Sequence, residues 1–81
     1  MNPRKHLQVN ATDNVTTVLD DQTNSEQLAG GAPVEHGVPF GHKVALVDIP
    51  KGAPVIKYGV AVGYALMPIP KGAHVHVHNC E

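Results

Sequence analysis

The apolar positions of this chain come in short runs separated by glycine, proline and asparagine, and no stretch repeats at helical spacing for long. Lys43 to Ile49, KVALVDI, is the densest run and predicts a strand. Val55–Tyr58 predicts another, Gly59 breaks it, and Val60–Leu66 predicts a third. Val15–Leu19 is rich in β-branched residues and reads as a strand, with a short one before it over His6–Val9. Near the end, His74-Val75-His76-Val77-His78 alternates polar and apolar with period two. That pattern predicts a closing strand over Val75–His78, with valines on one face and His74, His76 and His78 on the other. Thr12-Asp13-Asn14, Pro50-Lys51-Gly52 and Lys71-Gly72 predict turns. Residues 1–5 read as a disordered, frayed terminus. Residues 20–37 read as a polar loop of variable length, with at most one helical turn near Ser25–Leu28. The sum is an all-β single domain over residues 6–81, with little helix.

A near-repeat lies in the second half. Residues 49–55 are IPKGAPV and residues 69–75 are IPKGAHV, offset by 20. Each copy is an apolar residue, a Pro-Lys-Gly turn and a strand entered on valine. Two copies are too few for a solenoid, so the pattern predicts one β unit with internal pseudo-symmetry.

Composition narrows the function classes. The chain has 81 residues, no tryptophan, and only Phe40, Tyr58 and Tyr64 as aromatics. Its core must therefore come from Val, Ile, Leu and Ala. A domain of this size buries only about 60–65% of its unfolded surface, so support from a homo-oligomer or a larger partner is expected. A formal net charge of −1 argues against nucleic acid and anionic membrane as partners. No apolar run approaches the ~20 residues of a membrane span, and MNPRKHLQVN lacks the apolar stretch of a signal peptide. Cys80 is the only cysteine, which excludes a disulfide framework. A cytoplasmic location is the expectation.

Histidine carries the candidate chemistry. Three of the six histidines are His74, His76 and His78. Imidazoles spaced along one face can converge on a metal, a carboxylate or a reacting proton. The competing reading is a solvated edge strand. His42, beside Gly41 and Lys43, is the second candidate: His42 and Lys43 together suit a carboxylate substrate, against a plain strand-entry turn. His74 stands where the first repeat has Pro54, which ranks it below His76 and His78. Lys51 and Lys71 read as solvated turn residues. Asp48 reads as a cap on the Pro50 turn, the two tyrosines as core or interface, Asn79 as a strand cap or substrate contact, and Cys80 as a weak nucleophile.

Three ordered segments, ATDNV (11–15), GHKVALVDIPKG (41–52) and VIKYGVAVGYALMPIPKGAHVHVHN (55–79), resemble the small SAF-type N-terminal domain of the altronate/galactarate dehydratase family. The resemblance covers roughly residues 6–79 and implies a β-clip fold of short, bent strands. It also implies a hydro-lyase that removes water from a sugar acid with a divalent metal, iron or manganese, held mainly by a larger catalytic subunit or domain. Residues 20–37 match no part of the family pattern.

On this resemblance the chain is a small subunit or an N-terminal domain that completes or covers the active site and is inactive alone. His76, His78 and His42 are then the catalytic candidates, His76 and His78 the candidate metal ligands, and Lys43 and Asn79 the substrate contacts. Two alternatives stay open. One is the small subunit of a sulfolactate sulfo-lyase-like enzyme, and the other is a non-catalytic carbohydrate-binding SAF module.

Overall fold

The computed structural model describes residues 2–81. Six short strands form: β1 (His6–Leu7), β2 (Val15–Val18), β3 (Lys43–Ala45), β4 (Pro54–Lys57), β5 (Val60–Tyr64) and β6 (His74–Val75). No helix occurs among the described residues, including at Ser25–Leu28, so none is long and apolar enough to cross a membrane. The all-β prediction holds.

An antiparallel sheet runs β1-β2-β3-β6, and β4 and β5 make a separate hairpin. Residues 79–81 extend that hairpin along the free edge of β5. Leu66 N donates to Asn79 O at 2.9 Å, and Tyr64 and Glu81 exchange a pair of bonds at 2.7 and 3.0 Å.

The repeat is a structural pseudo-dyad. Ile49 and Ile69 form a reciprocal bridge, each N–H donating to the other's carbonyl at 2.8 Å. Both turns close alike: Ala53 N donates to Pro50 O, and Ala73 N to Pro70 O, each at 3.0 Å. Gly52 and Gly72 take φ of +84° and +89°, the left-handed third position of a type II turn. Gly52 N then reaches Ala65 O, and Gly72 N reaches Ala45 O, both at 2.8 Å. The residues paired by this symmetry, Ala45 with Ala65, Ile49 with Ile69 and Val55 with Val75, form the main core together with Val15. Asp48 caps the opposite turn from the one expected: its Oδ1 accepts from Lys71 N at 2.8 Å.

A second core cluster joins Val18 and Val44 to Leu28, Val34 and Val38. Leu28 and Val34 lie inside the 20–37 stretch. That stretch is a packed loop, because its few apolar residues plug the outer face of β2 and β3. The frayed terminus expected over residues 1–5 is corrected at Arg4, which is fully buried; Met1 lies outside the described residues. Arg4 Nε pairs with Asp20 Oδ1 at 2.9 Å, its other guanidinium nitrogens donate to Val38 O and Asp20 O, and its backbone bonds Gln27 and Ala29. Tyr58 and Tyr64 are both well exposed, so neither belongs to the core.

Candidate functional site: a four-histidine cluster

The expected strand over Val75–His78 ends at Val75. Beyond it the chain folds into a turn, with Asn79 N and Cys80 N both donating to His76 O, at 3.0 and 2.9 Å. Strand alternation therefore does not set the histidine directions. The turn draws the rings together instead: His74 lies 5.5 Å from His76 and 5.4 Å from His78, centroid to centroid.

His42 completes the group from the start of β3. Antiparallel pairing of β3 with β6 places Val44 opposite His74 and Lys43 opposite Val75. His42 thereby meets the turn: its ring stacks on His76 at 4.5 Å, and its Nδ1 hydrogen-bonds His74 Nε2 at 2.9 Å. One nitrogen of that bond must be unprotonated, so the pair cannot carry two full charges in this geometry. The burial of His74 lowers its pKa, and the neighbouring His42, His78 and His76 lower it further, against a smaller opposing pull from Glu35.

One ring nitrogen from each of His42, His74 and His76 lies within 4.8 Å of the others. Three imidazoles suit first-row divalent metals such as zinc or iron. A tetrahedral ion with metal–nitrogen bonds of about 2.0–2.1 Å needs ligand nitrogens roughly 3.3 Å apart. The His42–His74 separation is a few tenths shorter, and the His76 nitrogen lies within 4.8 Å of both. His78 touches the group only through His74 and stands outside the set of three. His42 and His74 are half-buried, and His76 is exposed. Lys43, Val62, His76, Val77, Cys80 and Glu81 line a groove of about 230 Å³ beside the cluster.

Asn79 is buried, and its carboxamide joins His74 O to His76 N. His6 is held apart between Thr16 and Ala29 O. The central place of His74 escaped the sequence reading, because its partner His42 is 32 residues away. The one available signal was that HVH follows the same turn that Pro54 follows in the first repeat.

Comparison with known proteins decides the family. Residues 4–81 match the altronate/galactarate dehydratase SAF domain. The chain belongs to that family. It is 42% identical over 78 residues, 93% of its length, to altronate dehydratase of Escherichia coli (strain K12), and those residues are 16% of that enzyme. It is 38% identical over 73 residues, 86% of its length, to galactarate dehydratase (L-threo-forming) of the same strain, and covers 14% of it. It is also 46% identical over 48 residues to (2R)-sulfolactate sulfo-lyase subunit alpha of Chromohalobacter salexigens, which is 59% of this chain and 51% of that subunit. The chain thus spans about a sixth of the dehydratases it matches. These relatives set the SAF-like fold of this chain in the context of lyases.

Proposed function

We propose that this SAF domain acts within a sugar-acid hydro-lyase of the altronate/galactarate type, carrying its histidine cluster to an active site shared with a larger catalytic chain or domain. The observation that carries the reading is the convergence of His42, His74 and His76, from two segments distant in sequence, on one point.

Removing water from a sugar acid requires a base for the proton next to the carboxylate, stabilisation of the charge that develops there, and an acid for the departing hydroxide. In our reading His42, His74 and His76 hold a divalent cation, iron or manganese, with the remaining ligands coming from the partner. A cation there supplies charge stabilisation at the substrate carboxylate. His74 is suited to ligation because burial, with the neighbouring His42, His78 and His76, lowers its pKa and so favours the neutral ring. His78, outside that set of three, is the group available for proton transfer. Lys43 lines the groove beside His76 and suits a substrate carboxylate. The exposed apolar side chains Val60, Val62, Tyr64 and Val77 form the face on which the larger partner seats.

The test is reconstitution. The chain is combined with the remainder of an altronate dehydratase, and turnover is measured on altronate and galactarate. We expect activity that falls at least about 100-fold in H42A or H76A, with assembly intact. Turnover unchanged in both variants would overturn the reading. A second reading, the alpha subunit of a sulfo-lyase, is favoured by one observation: the match to that short subunit covers half of it. Sulfite release from sulfolactate, with no turnover of the sugar acids, would establish that reading instead.

A further inference from the structure

Asn79 marks the place where the second repeat parts from the first. Aligning residues 49–55 with 69–75 sets Ile56 against His76 and Gly59 against Asn79. The first copy stays extended through Lys57 and turns only at Tyr58-Gly59. The second leaves the extended path directly after Val75. Inside that turn, Asn79 Nδ2 donates to His74 O at 2.8 Å, and Asn79 Oδ1 accepts from His76 N at 3.0 Å. One carboxamide, 5% exposed, therefore grips the backbone on both sides of Val75.

The His74 and His76 rings flank this grip: they stack at 5.5 Å, centroid to centroid, and both contact His42.

We infer that Asn79 is a positioning residue whose carboxamide sets the spacing of the His74 and His76 imidazoles and so allows His42, His74 and His76 to hold one divalent cation. The inference rests on the metal-holding reading of the cluster given above. Both polar ends of the side chain are engaged by backbone, which favours this role over direct contact with substrate. Groups outside a metal's ligands that orient them are worth about 10–100-fold in affinity.

The experiment measures Zn²⁺ affinity of the 81-residue chain by calorimetry, for wild type, N79A and N79D, at temperatures where each is folded by circular dichroism. N79A is expected to raise Kd ten- to a hundredfold. N79D keeps the acceptor for His76 N but sets an oxygen that cannot donate against His74 O, so it too should raise Kd. A lower melting temperature with an unchanged Kd in the folded variants would mean that Asn79 only stabilises the fold, and would overturn the inference. Should N79A not fold, N79D carries the comparison. Should wild type take up no Zn²⁺, the metal-holding reading fails on its own. Positioning is then decided in the metal-free chain, by the nuclear Overhauser contacts among the His42, His74 and His76 rings. Contacts present in wild type and lost in N79D support positioning, and contacts retained in N79D overturn it.

Discussion

Single residues reveal how small differences break the symmetry of the repeat. Gly52 and Gly72 hold equivalent left-handed positions, yet their surroundings differ. A Cβ on Gly52 would meet nothing within 4 Å, whereas one on Gly72 would lie 3.0 Å from Pro33 O. Gly52→Ala should therefore cost only the left-handed backbone penalty, about 1–2 kcal/mol. Gly72→Ala should cost more, because the 20–37 loop must also shift. Urea unfolding of the two variants checks the order, and equal midpoints would contradict it.

Arg4 and Asp20 matter in another way. Burial of Asp20 raises its pKa, but donors from Lys5, the Arg4 side chain and Gln22, with the Arg4 charge, outweigh this and hold it below its ordinary 3.8. Asp13 behaves alike: burial raises its pKa, and N–H groups of Gly59, Asn10 and Tyr58, with Lys57 nearby, bring it below 3.8. In both cases the unfolded chain binds more protons than the folded one at acid pH. Their stabilisation is complete above about pH 4 and is lost as pH falls through the lowered values. Asp20→Asn should flatten the acid limb of the stability curve. It should also cost about 3 kcal/mol near neutral pH by leaving a buried guanidinium without its carboxylate. An acid limb unchanged by the substitution would refute this.

At the scale of elements, the hydrophobic pattern located every strand and overestimated most of their lengths. Lys43–Ile49 reads as one strand, but only Lys43–Ala45 pairs as such, since the chain bends at Leu46 and Val47 before Ile49 meets Ile69. Periodicity registers that residues are apolar but not that a pseudo-dyad must be built between them. The repeat itself was the legible signal, and its two isoleucines bind the copies together. Ile49→Ala and Ile69→Ala should each cost about 2–5 kcal/mol. Because both side chains lie in one core cluster, the double variant should lose less than the sum. Strict additivity in denaturant unfolding would show that the two side chains are not packed as a coupled unit. The 20–37 loop was read as polar and variable because Leu28 and Val34 are isolated in the sequence. Only the tertiary fold shows that they share a core with Val18 and Val44.

At the scale of the whole molecule, the family and the concentration of histidine near the end were legible in the residues, while the convergence of His42 on His74 and His76 was not. His76 and His42 were singled out from local pattern. His74 was ranked below them, and His78 was assigned a face that the turn removes. The reasons are physical: the alignment with Pro54 lowered His74 without showing His42 beside it, and a period-two reading assumes a strand that in fact ends at Val75. The domain brings together a core stitched by an internal dyad and a cluster of imidazoles at one edge of the main sheet. It spans only a fraction of its dehydratase relatives, so its chemistry is proposed to depend on a larger partner.

The claim that His42, His74 and His76 act as one metal-holding unit is tested most directly by titrating the isolated chain with Zn²⁺ while following all six histidine rings by NMR. The account predicts saturable, one-to-one shifts of the His42, His74 and His76 resonances, smaller shifts at His78, and none at His6, which is held by Thr16 and Ala29. Equal, unsaturated shifts across all six rings, or no shift at the three, would contradict it.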